Sequence, residues 1–135
     1  MEQKKSKGMH VVLWIAQVLL AGMFLMAGSM KTFTPIPELV KMGMTWAETM
    51  PFMPRFIGIS EMLGGLGLVL PSLLRIQPKL TVAAAYSLLI VMIMAVVVHI
   101  VENDAAHSLM PLLLGGIAFF IAWGRSKRVP ILARD

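Results

Sequence analysis

The chain contains no cysteine. That absence excludes a disulfide framework, a CxxC redox centre and cysteine-ligated zinc or iron–sulfur sites, so any redox role would need an external cofactor. Charge is also scarce, at 14% of residues, against about 25% in soluble domains. There is one tyrosine, and aromatics make up 7% of the chain. No phosphate-cradling glycine loop, nucleophilic triad or zinc spacing occurs, so the residues specify no reaction class. Three histidines, His10, His99 and His107, are too scattered to predict a metal site. His10 and His107 read as interfacial.

What the chain has in abundance is apolar sequence. It is 58% hydrophobic, with a mean hydropathy of +0.81, and that content is gathered into four blocks at residues 11–29, 56–74, 80–98 and 109–123. A span needs about 20 apolar residues to cross a hydrocarbon core. The blocks therefore predict an all-α fold, an integral membrane four-helix bundle forming a single domain over 1–135, with helices over about 11–30, 56–74, 80–99 and 108–124. The second block is expected to end around Pro71. The fourth is short and would need its polar start, or a thinner bilayer, to span. A cleaved signal sequence is the competing reading of the first block, but the block exceeds the apolar region of about 7–15 residues that such signals carry.

The formal charge of +5 and pI near 10.0 would suit a nucleic-acid partner, but the bases sit at the chain ends and in one short loop, beside apolar blocks. They read as topology signals, and no nucleic acid is expected. Nine of the twelve fall on one side: Lys4, Lys5 and Lys7, then Arg75 and Lys79, then Arg125, Lys127, Arg128 and Arg134. The other side carries Lys31, Lys41 and Arg55. The positive-inside rule places both termini in the cytoplasm, and the bilayer itself is the first partner. The basic carboxyl tail would contact anionic lipid heads as an orientation signal. Between the first two blocks, residues 31–55 admit a short interfacial helix starting near Thr34, Pro35 and Pro37 and stopped by Pro51 and Pro54; a plain loop with apolar anchors is the alternative.

Glu61 is the residue that calls for explanation, because it interrupts the second block. A carboxylate at bilayer depth is costly and marks a paired, functional position by default. Gly58, Glu61, Gly64 and Gly65 recur at spacings of three and four, so Glu61 shares a face with the small residues on which helices pack in lipid. Lys31, Arg55, His99, Glu102 and His107 fall at the outer helix ends, with Glu61 about 7–9 Å deeper at 1.5 Å per residue. Arg55 lies six residues away, off that face, so Lys31 or His99 is the expected partner. Two readings follow. In one, Glu61 only fixes helix register through an ion pair; in the other, an outward-facing pocket around Glu61, with His99, Lys31 and Arg55, binds or exchanges protons with a small lipophilic ligand such as a quinone.

The run 55–71, RFIGISEMLGGLGLVLP, followed by Arg75, Pro78, Ala95 and His99, with Gly28 and Lys31 closing the first helix, resembles the DoxX-like family over about residues 20–125. The resemblance implies a multi-pass protein of the bacterial cytoplasmic (inner) membrane, built as a four-helix bundle. Relatives in the wider DoxX group include a subunit of a thiosulfate:quinone oxidoreductase and components of oxidative-stress and quinone responses. Its pattern maps onto Lys31, Glu61 and His99. The resulting expectation is a redox-linked accessory protein that carries no cofactor of its own and receives a quinone. An interaction or assembly module, packed against a membrane protein partner or a second copy, is the alternative. A small proton-coupled carrier ranks lower, because no internal repeat with broken helices is visible.

Overall fold

The computed structural model describes residues 2–134, with side chains described from residue 7 onward. Helix α1 spans Glu2–Phe33, so it begins well before the first apolar block, in the basic tail. It ends where Pro35 bars Thr34 from helical backbone. Pro35 then caps α2, Ile36–Lys41, whose Leu39 is buried. The predicted short helix is therefore present. Gly43 terminates it with φ +108°, a conformation that disfavours a side chain. A 3-10 turn, Thr45–Ala47, follows and buries Ala47.

Pro51 and Pro54 start the next helix and do not merely stop the previous one. Helix α3 runs Phe52–Leu74 with Pro51 as its N-cap. In a first turn the N–H groups lack intrahelical partners anyway, so proline is accommodated there. The helix passes through Pro71 and stops at Arg75, whose φ of 56° is left-handed. Helix α4 spans Lys79–Val101 and is joined to α3 across the chain reversal by a 2.7 Å hydrogen bond between the buried Ser72 and Thr81 hydroxyls. Helix α5, Leu109–Trp123, has only 15 residues. It is extended at one end by a 3-10 turn, Ala105–Ser108, and at the other by a π-helical turn, Gly124–Arg128. Together they make a continuous 24-residue span, so the fourth block needs no thinned bilayer.

Four helical segments, Lys7–Phe33, Phe52–Leu74, Lys79–Val101 and Ala105–Arg128, are long and apolar enough to cross a membrane. Their order around the bundle is α1, α3, α4, α5, with close packing between successive members and a sparse contact closing the ring from α5 to α1. Leu20, Phe24, Leu68, Leu88, Met92 and Ile121 form the core. Large apolar side chains such as Leu19, Leu63, Ile90 and Leu112 point outward, as befits a protein whose solvent is lipid. The closest approach joins α1 to α3. A Cβ placed on Gly28 would lie 2.5 Å from the Gly58 carbonyl oxygen, and one on Gly58 would lie 2.6 Å from the Gly28 oxygen. Only glycine lets these backbones touch.

Gly58→Ala or Gly28→Ala is expected to lower stability in detergent by about 1–3 kcal/mol, the usual cost of forcing extra volume into a packed contact. Gly22→Ala on the same α1 meets nothing within 4 Å. It should be neutral or gain up to about 1 kcal/mol from helix propensity. Thermal unfolding followed by circular dichroism separates the two cases.

Candidate functional site

The Gly28–Gly58 crossing also positions the principal charges. Lys31 lies one turn beyond Gly28 and Glu61 one turn beyond Gly58, but α1 and α3 are antiparallel, so the two residues are displaced in opposite directions by about 9 Å along the axis. Helical side chains lean toward their own N-terminus. Lys31 therefore reaches down toward the bundle centre while Glu61 reaches up, and they meet. The Lys31 Nζ donates to Glu61 Oε1 at 2.5 Å. The carboxylate is 1% exposed and the lysine 18%. The second carboxylate oxygen, Oε2, is buried without a hydrogen-bond partner.

Arg55, near the start of α3, supports this pair without touching Glu61. Its Nη1 donates to the Lys31 carbonyl at 2.9 Å and the Thr34 carbonyl at 2.5 Å. Those carbonyls belong to the orphaned acceptors of the α1 C-terminus, where a cation is favoured. Arg55 thus fixes the turn from which Lys31 projects. Thr32 adds a hydroxyl bond to the Gly28 carbonyl at 2.7 Å.

His99 does not join the ion pair. Its Nδ1 lies 3.5 Å from Asp104 Oδ2, while His107 Nδ1 lies 2.5 Å from Asp104 Oδ1. The two imidazoles stand 6.3 Å apart, clustered at the α4–α5 turn. The hydrogen bond with His107, aided by the charge of both imidazoles, holds the Asp104 carboxyl below the ordinary carboxylate range. Of the two partners expected for Glu61, the structure pairs it with Lys31.

Sequence reasoning missed a second polar cluster at the opposite end of α1. Gln17, fully buried, donates from Nε2 to the Leu68 carbonyl at 2.6 Å and accepts at Oε1 from Arg125 Nε at 2.6 Å. Arg125 is itself 3% exposed. Its Nη1 reaches His10 Nδ1 at 3.0 Å and the Val129 carbonyl at 2.9 Å, and its guanidinium lies 5.7 Å from the Trp14 ring centroid. One signal was available. His10, Trp14 and Gln17 recur at spacings of four and three, which puts them on one face of α1, and a glutamine inside an apolar span requires a partner. Arg125 supplies it, and is therefore a buried structural group as well as part of a basic tail.

Fold and site together define a small four-span integral membrane protein whose buried ion pair ties its first helix to its third. The chain belongs to the DoxX-like family, whose profile matches residues 15–121. The match covers Gln17, Lys31, Arg55, Glu61 and His99 and stops short of Arg125. No curated protein and no solved structure matches the chain.

At the site, the free Oε2 is an acceptor and Lys31, with one of its N–H groups committed to Oε1, keeps two donors. The pair thus presents complementary polarity inside an apolar bundle. Removing one member should be costly. Lys31→Met alone is expected to destabilise by about 3–5 kcal/mol by leaving an uncompensated carboxylate, and the double change Lys31→Met with Glu61→Leu should recover most of that loss. Chemical unfolding in a detergent–denaturant series measures both.

For Asp104 the sign follows from its lowered pKa. Stabilisation of the α4–α5 turn is complete above the ordinary carboxylate value and is lost as pH falls through the depressed folded value. The protection of residues 102–108 against hydrogen exchange, taken relative to the intrinsic rate at each pH, should therefore fall over that acid window, and Asp104→Asn should remove that change.

Proposed function

We propose that the protein receives a small lipophilic molecule with a hydrogen-bonding head at the Lys31–Glu61 pair, with a quinone as the leading ligand, and serves as an accessory to a redox partner in the bacterial inner membrane. The observation that carries the reading is Glu61 Oε2, a buried carboxylate oxygen with no partner. Such a group forfeits about 1–3 kcal/mol or more, which a ligand hydroxyl would return. A quinol hydroxyl donates to Oε2, and a quinone carbonyl accepts from Lys31 Nζ. The two redox forms thus find complementary partners within one ion pair. Arg55 keeps Lys31 in place through the α1 carbonyls. With no cysteine in the chain, electrons would enter and leave through the partner. The distribution of bases supports termini in the cytoplasm and a site in the outward half.

The Gly28–Gly58 contact favours a second reading, in which the ion pair only locks α1 against α3 and the bundle acts as an assembly module for a membrane complex. Native mass spectrometry with the reduced, quinol form of a short-tailed benzoquinone, comparing the natural chain with Glu61→Gln at matched folding, distinguishes the two. The glutamine keeps an acceptor for Lys31. Under the ligand reading, quinol adducts weaken by about 10- to 100-fold, the loss expected for a charge-assisted hydrogen bond of about 1.5–3 kcal/mol. Equal adducts in both proteins, or none in either, would leave the register lock standing.

A further inference from the structure

Among the described residues one cavity lies away from Glu61, along the sparse seam between α1 and α5. It has a volume of about 620 Å³ and is lined wholly by apolar residues and glycine, among them Val12, Leu19, Met23, Leu112, Gly116 and Phe120. That volume falls within the range of about 300–1,000 Å³ typical of ligand sites. Gly116 lies open within it: a Cβ there would meet nothing within 4 Å. From Val12 to Met23 the groove extends about 16 Å at 1.5 Å per residue, which is half of a hydrocarbon core about 30 Å thick. Its length is therefore that of one leaflet.

The two ends of the groove differ in charge. At the end bearing the chain termini, Phe120 is followed by the exposed cations Lys127 and Arg128. Arg128 is held 5.4 Å from the Trp123 ring centroid, and Trp123 lies 6.4 Å from the ring of Phe120, which lines the groove. Arg125 is consumed by Gln17 and His10 and is not available. Among residues 7–134 no acid lies at this end. At the other end, the turn leading into α5 carries Glu102 and Asp104, both acidic. An anionic head is attracted to the first end and repelled by the second.

We infer that the α1–α5 groove seats one acyl chain of an anionic phospholipid from the leaflet on the terminal side, with its headgroup held by Lys127 and Arg128. The lipid completes the side of the bundle that α1 and α5 leave open. This site is independent of the Lys31–Glu61 pair.

Native mass spectrometry of detergent-solubilised protein exposed to phosphatidylglycerol or to phosphatidylcholine with identical chains tests the assignment. One phosphatidylglycerol per protomer should survive gentle activation, at about 10-fold the occupancy of phosphatidylcholine. Gly116→Leu fills the groove from an open position, so it should melt like the natural chain and lose that adduct at least 10-fold, while binding of the short-tailed quinol stays unchanged. The double change Lys127→Gln with Arg128→Gln should leave chain seating intact but reduce phosphatidylglycerol to the phosphatidylcholine level. Equal retention of the two lipids by the natural chain, or an undiminished adduct in Gly116→Leu, overturns the proposal. A dimer that Gly116→Leu dissociates would assign the groove to a second copy, and loss of the quinol in that variant would assign it to a quinone tail; either result also overturns it.

Discussion

In lipid no hydrophobic force presses helices together, so this bundle depends on what its helix backbones can touch. The contact of Gly28 with Gly58 is the tightest such approach between the first two spans. It fixes the distance between α1 and α3, and with that distance the reach of every side chain between them. Lys31 and Glu61 meet because the glycines bring antiparallel helices close enough for two oppositely leaning side chains to overlap. A larger residue at either glycine would separate the axes and strand a carboxylate in apolar surroundings. Packing and electrostatics are thus one constraint at this crossing.

The first span is pinned at both ends by polar groups of different character. Near its C-terminus it carries the lysine of an ion pair, backed by an arginine on its terminal carbonyls. Toward its N-terminus it carries a glutamine that bonds α3 through the Leu68 carbonyl and accepts from Arg125, beyond α5. The second cluster is satisfied among its own members. The first leaves an oxygen unused. That asymmetry separates a fully satisfied polar network from the unpartnered acceptor on which the proposed function rests.

Much of the architecture was legible because a membrane span is a long signal. Four apolar blocks of adequate length map onto four helices, and Glu61 stood out because a charge inside such a block is rare. Boundaries were less legible where helical backbone outruns hydrophobicity. Helix α1 continues into a lysine-rich tail and α5 is lengthened by 3-10 and π turns, neither of which hydropathy registers. Pro51 and Pro54 read as breakers because a proline looks alike at the end of one helix and in the first turn of the next. Lys31 was identified as a partner for Glu61 alongside His99, and the choice between them depended on how far α4 stands from the crossing, which no spacing within one helix encodes. Arg125 escaped because a base after an apolar block normally signals orientation; its burial results from Gln17, more than a hundred residues earlier.

The carboxyl-terminal tail returns to the turn between α3 and α4. Arg75 Nε donates to the Leu132 carbonyl, and the Arg134 N–H donates to the Arg75 carbonyl, both at 2.8 Å. In a ring ordered α1, α3, α4, α5, this strap ties the chain leaving α5 to the helix diagonally across from it. Four rods hinged in a loop can shear as a parallelogram until one diagonal is fixed. At the terminal face that diagonal is in place, whereas at the opposite face no hydrogen bond among the described residues crosses it. The end of the bundle nearest Glu61 is therefore the end with mechanical freedom to part.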